Sequence, residues 1–96
     1  MLNTTTTSNT ILEMVLKVKL LFFASAKDLF GKSNASWDLT DGSILKDVVS
    51  RLKDEHAMDI QALKFSVAVN KKYATSTDDI LRDGDEIAIL PPLGGG

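Results

Sequence analysis

Cysteine is absent from this sequence, and histidine occurs once among its 96 residues. Without a thiol the chain has no disulfide scaffold and no thiolate nucleophile. With one histidine and no cysteine, nearly every way of building a zinc site or a Cys-His catalytic pair is also excluded. We therefore expect no bound metal and no other bound cofactor, and the chemistry has to come from another kind of group.

Long apolar runs and a strong excess of one charge are missing as well. The longest apolar stretch, Leu20 to Ala26, is far shorter than the roughly 20 residues that span a bilayer. A formal charge of -2 provides no electrostatic reason to expect a nucleic acid or an anionic membrane as partner. A chain of 96 residues buries one modest core but not also a deep cleft, so function is expected on a surface or a terminus.

Residues 1–14 are dominated by threonine, serine and asparagine, with too few apolar side chains to offset the entropy lost on ordering. We predict that this segment is a disordered extension. Lys17 is the first basic residue, whereas a secretory signal or a mitochondrial transit peptide requires positive charge near its start. The expected location is therefore the cytoplasm.

The first half of the remaining chain predicts two strands and a helix. Apolar residues alternate along the segment that begins at Val15, which indicates a first strand with one buried face. Turn formers in 27–34 predict a break, and 36–39 a short second strand. Ser43 is the predicted N-cap of an amphipathic helix. Its apolar residues recur at helical spacing and are Ile44, Leu45, Val48, Val49 and Leu52.

The second half predicts three further strands. Residues 65–69 alternate in polarity, and the chain then turns into a brief fourth strand at Tyr73. The closing strand covers 86–90, and Pro91 must end it because proline has no N–H for the ladder. The resulting order of elements is β-β-α-β-β-β.

This order of elements predicts an α+β fold. We expect a ubiquitin-like β-grasp, in which a mixed sheet of about five strands is covered on one face by a main helix. The β-grasp domain is predicted to span residues 15–90. A flexible tail is predicted to follow it at residues 91–96.

The tail consists of Pro91, Pro92, Leu93, Gly94, Gly95 and Gly96. At an average glycine content of about 7%, three terminal glycines would arise by chance in roughly 0.03% of chains. Glycine adds almost no bulk to the backbone, and two prolines form a stiff spacer that holds the terminal carboxylate away from the globule. We therefore predict that the tail is the substrate of an enzyme that reaches it through a narrow channel. The alternative is that it is only a frayed chain end.

A terminal carboxylate reacts with nucleophiles only after one of its oxygens becomes a leaving group, and adenylation by ATP is the usual route. The activated carbonyl of Gly96 would accept an amine, which conjugates the chain to another protein, or a sulfur species, which forms a thiocarboxylate. A chain without cysteine does not carry sulfur as a cysteine persulfide. Only the C-terminus is left to hold it.

Several segments together carry a family resemblance. They are Val18-Lys19-Leu20-Leu21-Phe22-Phe23-Ala24, Lys27-Asp28-Leu29-Phe30-Gly31, Val67-Ala68-Val69-Asn70, the run from Leu81 to Ala88, and the tail from Leu90 to Gly96. This set resembles the small, sulfur-carrier subunit of molybdopterin synthase, and the resemblance covers Val15 to Gly96. Gly94 stands where that family usually has serine or threonine, but the terminal diglycine is intact.

The resemblance implies that a ubiquitin-activating-type enzyme consumes ATP to adenylate Gly96 and then converts it to a thiocarboxylate. The tail, Pro91 to Gly95, would be inserted into the large subunit, which holds the catalytic groups, so that sulfur passes to cyclic pyranopterin monophosphate. This chain would be a non-catalytic, sulfur-donating subunit of a two-plus-two heterotetramer. The resemblance assigns partner contacts to Phe23, Lys27, Tyr73 and Leu90.

The strand pattern also predicts an apolar patch beside the tail. Leu21, Phe23, Ala88 and Leu90 fall on the face of the sheet that the helix does not cover, and exposed apolar patches usually mark interfaces. The alternative for Phe23 and Leu90 is that they merely pack on neighbouring strands. Lys71-Lys72 is interpreted as a solvated turn, with a docking site as the alternative. His56 is interpreted as an exposed side chain, and the acidic residues of 83–86 as turn formers.

Two other functions stay open. One is a ubiquitin-like protein modifier, or a sulfur carrier for thiamine or tRNA thiolation, which shares the fold and the Gly-Gly end. Pro91 and Pro92 argue against it. The other is a ubiquitin-like binding module with an incidental tail, whose function would survive deletion of Gly95 and Gly96.

Overall fold

The computed structural model describes residues 15–92. The predicted extension at 1–14 and the tail residues 93–96 lie outside the described residues. Two helices and five strands make up the described chain. In order they are β1 Val15–Phe22, α1 Ser25–Phe30, β2 Asn34–Thr40, α2 Leu45–His56, β3 Ser66–Val69, β4 Lys72–Tyr73 and β5 Glu86–Leu90.

The strands form one mixed five-stranded sheet in the order β2-β1-β5-β3-β4. The two central strands, β1 and β5, are parallel, and every other pairing is antiparallel. The first and last strands of the described chain therefore lie side by side in the middle of the sheet. This is the β-grasp that the element order predicts.

The core lies between α2 and one face of the sheet. Leu20 and Ile87 are neighbours in the parallel register, and both are fully buried. From the helix, Leu45 and Leu52 pack into the same cluster and are also fully buried, because the apolar residues of α2 recur on one side. Neither helix within residues 15–92 has the length and apolarity needed to cross a membrane.

The predicted break at 27–34 is partly wrong, because it contains most of the short helix α1. Ala26 and Phe30, four residues apart, are both buried, and the rings of Phe30 and Phe22 lie 5.0 Å apart. Gly31 ends the helix at a φ of 72°, and its N–H donates to the carbonyl of Lys27. The glycine that indicated a turn is thus the cap of a six-residue helix.

The predicted N-cap is displaced by one residue. Helix α2 is capped at Ile44, whose N–H donates to the carboxylate of Asp47 over 2.8 Å. The hydroxyl of Ser43 instead donates to the carbonyl of Thr40 over 2.7 Å and closes the turn after β2. The acidic side chain in the first turn therefore does the capping, in the manner of one half of a capping box.

His56 is half-buried rather than exposed, so that prediction is wrong. Its ring lies edge-on to Phe30, with centroids 4.9 Å apart, at the carboxyl end of α2. Its Nε2 atom is buried without a hydrogen-bond partner in the described part of the chain. The contact requires α1, which the sequence pattern did not reveal.

Candidate functional site

The open face of the sheet, away from α2, carries an apolar groove of ≈ 270 Å³. We call it the apolar groove. Its lining comes from β1, β3, β4, β5, the residue after β1 and the β3–β4 turn. The lining residues are Leu21, Phe23, Ala68, Lys71, Tyr73, Glu86, Ala88 and Leu90.

Strand register explains the shape of the apolar groove. Leu21 is paired with Ala88, Ala88 with Ala68, and Ala68 with Tyr73, so one row of side chains crosses four strands. Because the two central members are alanines, the middle of the row is low. The larger Leu21 and Tyr73 stand at its ends and form walls.

Large apolar side chains at the edges of the groove are open to solvent. Phe23 is 45% exposed and Tyr73 is 59% exposed, whereas Leu90 is half-buried. The prediction that Leu21, Phe23, Ala88 and Leu90 form a patch on the uncovered face is therefore confirmed by their common lining of the groove. Contiguous exposed apolar surface of this kind is typical of an interaction site.

The tail begins at the edge of this groove. Strand β5 ends at Leu90, which lines the groove, and the chain continues through Pro91, half-buried, and Pro92, exposed. Leu93, Gly94, Gly95 and Gly96 lie outside the described residues. A partner that covers the groove would therefore meet the base of the tail.

The loop that leads into β5 is held by carboxylates. Asp83 accepts a hydrogen bond from the N–H of Lys17 over 2.8 Å, and Asp85 accepts one from the N–H of Arg82 over 2.8 Å. These contacts support the interpretation of the acidic residues as turn formers. Within residues 15–92, no group of three or more histidine or acidic side chains is placed to bind a metal ion.

The carboxylate loop also fixes the β3–β4 hairpin. The side-chain amide of Asn70 donates to Asp85 over 2.9 Å, and its carbonyl oxygen accepts from the N–H of Glu86 over 2.9 Å. The N–H of Asn70 in turn donates to the carbonyl of Glu86 over 2.8 Å. The hairpin is thereby tied to the start of β5, and its turn is positioned beside the groove.

The predicted contact residues do not all lie together. Phe23, Tyr73 and Leu90 meet in the apolar groove, but Lys27 is exposed on α1 and is not part of its lining. Lys71 is exposed in the β3–β4 turn, as the solvated-turn interpretation expects, and it also lies in the lining of the groove. Periodicity gave no signal for this placement, since β4 is a two-residue strand whose register only the folded sheet defines.

A second, larger hollow of ≈ 600 Å³ lies between α2, β3 and the segment after β4. Its mouth is rich in hydroxyl groups, from Ser66, Thr75, Ser76 and Thr77. None of the tail-base residues Leu90, Pro91 and Pro92 lines it. The apolar groove is therefore the better candidate for a site that works together with the tail.

Comparison with known proteins gives consistent matches. The family model described as the ThiS family matches residues 20–96. The molybdopterin synthase sulfur carrier subunit of Chlamydomonas reinhardtii is 34% identical over 83 residues, which cover 84% of this chain and 100% of the relative.

Two solved structures agree with these matches. The Pyrococcus furiosus protein named molybdopterin converting factor, subunit 1, has a TM-score of 0.70 at 30% identity and covers 81% of this chain and 99% of its own. A complex of subunits 1 and 2 of the molybdopterin-converting factor of Helicobacter pylori contains a chain with a TM-score of 0.61 at 26% identity. That match covers 84% of this chain and 100% of the other.

Proposed function

We propose that this chain, which belongs to the ThiS family, acts as the sulfur-carrier subunit of a molybdopterin synthase. The observation that carries this proposal is the match to a relative of that name, which extends over 100% of the relative's length. The geometry supports it, because the last strand runs along an apolar groove and leads directly into Pro91 and Pro92. A carrier needs both a docking surface and a terminus that can reach away from it.

The working group of the carrier is the carboxylate of Gly96. A carboxylate oxygen attacks the α-phosphorus of ATP on an activating enzyme, pyrophosphate leaves, and an acyl-adenylate forms. Sulfur at the oxidation level of hydrosulfide then attacks the carbonyl carbon, the bond to AMP breaks, and AMP leaves, which makes the C-terminus a thiocarboxylate. This chain is a co-substrate in both steps, because its own terminal carboxylate is the group that reacts. The activating enzyme binds and consumes the ATP.

Sulfur donation takes place on a second partner, the large synthase subunit. The apolar groove docks on that subunit, and the tail enters its active site, where glycines fit a narrow channel because they have no Cβ. The Helicobacter pylori complex supports this pairing, since it joins subunits 1 and 2 of a molybdopterin-converting factor. The acceptor is a cyclic pyranopterin monophosphate, and two carriers in succession supply the two dithiolene sulfurs.

Intact mass tests the proposal at Gly96. The full chain is incubated with ATP, a sulfur donor and its cognate activating enzyme, and the C-terminal peptide is then mapped. We expect a gain of about 16 Da, the difference between sulfur and oxygen, on that peptide. No gain contradicts the proposal, and an isopeptide adduct favours a protein modifier instead.

A chain that ends at Gly94 is the matched control. The shortened chain retains residues 15–92, which form the fold and the groove. It should therefore bind the large subunit, and its Tm should equal that of the full chain. It should gain no sulfur and should fail to support dithiolene formation. If this shortened chain supports normal product formation, the tail is incidental and the chain is a binding module.

A further inference from the structure

The β3–β4 turn has an unusual backbone at the rim of the apolar groove. Val69 pairs with Lys72, and the turn residues between them, Asn70 and Lys71, have φ values of 51° and 72°. Positive φ at both central positions is the pattern of a type I′ hairpin turn. Asn-Gly is the preferred pair for such a turn, so Lys71 occupies the position that usually belongs to glycine.

This arrangement is unfavourable for lysine but not for asparagine. Asparagine tolerates a left-handed backbone better than most residues, and here its side chain is tied to Asp85 and Glu86. Lys71 has no such local compensation, and its Cβ is strained by a φ of 72°. Strain of this kind at a surface is a pointer to function when the side chain concerned lies at a candidate site.

Lys71 also brings an uncompensated charge to that site. Within residues 15–92, no carboxylate lies at ion-pair distance from its ammonium group. Lys17, on the same face of the sheet, differs because it pairs with Asp38 over 3.5 Å. The groove thus has one unpaired cation on its rim beside exposed aromatic rings.

We propose that Lys71 is a specificity-determining residue of the docking surface, where its ammonium group pairs with a carboxylate of the large synthase subunit. This rests on the proposed function, since the partner is the one named there. The groove contributes apolar burial and Lys71 contributes charge complementarity, which selects the partner and its orientation more than it adds to affinity. The strain at the turn is the cost of placing a cation there.

The variant Lys71→Gly tests this proposal because stability and binding should change in opposite directions. Glycine relieves the left-handed strain, so the Tm of the free carrier should rise by about 2 to 5 °C. Loss of the charge should weaken binding to the cognate large subunit about three- to tenfold at low salt. The difference from wild type should shrink as salt screens the ion pair. Calorimetry of the free chain and titration at two salt concentrations give both readouts.

Lys72→Thr is the matched control, since it removes the same charge one residue further along, on a strand position that favours threonine. It should leave affinity unchanged, and Lys71→Arg should retain wild-type affinity. Equal weakening by both charge deletions would overturn the proposal in favour of a net-charge effect. Wild-type binding by Lys71→Gly would overturn it too, while a wild-type carrier that does not bind the large subunit refutes the proposed function itself.

Discussion

Arg51 shows how a half-buried charged side chain covers the edge of the core. Its guanidinium carbon lies 4.1 Å from the ring centroid of Trp37, which is buried in β2, and its Nε donates to Glu55 over 2.7 Å. A planar guanidinium stacks on an aromatic face and covers apolar surface with its stem. The charged face of α2 is thereby attached to the edge of the sheet.

Replacement of Arg51 should therefore destabilise the fold. We expect Arg51→Ala to lower the free energy of unfolding by about 1 kcal/mol, because both the cation–π contact and the covering of Trp37 are lost. Arg51→Lys keeps the charge but not the planar stack, and its free energy of unfolding should lie between those of wild type and Arg51→Ala. Denaturant titration measures the change, and an unaltered midpoint for the alanine variant would show that the stack contributes nothing.

Glu55 makes a small part of the stability dependent on pH. The hydrogen bond from Arg51 lowers the pKa of this carboxyl below its usual value. A depressed pKa in the folded state gives stability that is present above the usual pKa and is lost as the pH falls through the folded value. Glu55→Gln should thus be less stable than wild type at neutral pH, and the difference should shrink as the pH falls through the lowered pKa of Glu55. A difference that persists in acid would contradict this.

At the scale of single elements, the end of α1 is determined by the backbone conformation of one residue. Its C-cap, Gly31, has a φ of 72°, and a Cβ added there would meet no atom within 4 Å. The requirement for glycine is therefore a matter of backbone conformation and not of space. The helix also supplies Phe30, on which Phe22 and His56 pack.

Gly31→Ala should lower the free energy of unfolding by about 1 to 2 kcal/mol, the usual cost of a left-handed backbone for a residue with a Cβ. Gly31→Asn should cost less, because asparagine tolerates this conformation better. Thermal unfolding of the two variants compares them directly. Equal losses for alanine and asparagine would point to a steric cause, contrary to the open space around the residue.

Prediction from the sequence succeeded for elements with a long, regular pattern. The alternation in β1 and β5 and the helical spacing in α2 each match the structure closely. It failed for α1, because six residues give too short a pattern and Gly31 indicates a turn as readily as a cap. It also failed for His56, whose burial depends on Phe30 of that missed helix.

At the scale of the whole molecule, the two faces of β1 have separate tasks. Leu20 is fully buried in the core, whereas its neighbour Leu21 lines the apolar groove together with Phe23, which follows the strand and is 45% exposed. Strand alternation produces this division, since neighbouring side chains point to opposite faces of the sheet. Stability and docking can therefore be altered independently.

Phe23→Ser should weaken binding to the large subunit about tenfold or more, with little change in Tm, because a large exposed aromatic side chain that a partner fully buries is a typical hot spot. Leu20→Ala should instead cost about 2 to 5 kcal/mol of stability. Titration calorimetry and thermal melts separate the two effects. Equal loss of Tm in both variants would mean that Phe23 is structural, as the alternative interpretation of packing on neighbouring strands requires.

The sequence by itself determined the fold class and the chemistry available to the chain. Alternating and helical patterns are local, so they define strands and a helix without knowledge of the sheet, and the lack of cysteine leaves no thiol to carry sulfur. The tail from Pro91 onward was also apparent from composition alone. The match to the ThiS family confirms the family resemblance, and the function of the tail stays a prediction.

Only the tertiary structure decided which residues line the apolar groove. Leu21 is far in the chain from Ala68 and Ala88, and these residues meet in one row because β1, β5 and β3 pair in a particular register. Register depends on packing across the whole sheet and not on any local pattern. For the same reason the placement of Lys71 beside the groove became visible only when the two-residue strand β4 was set against β3.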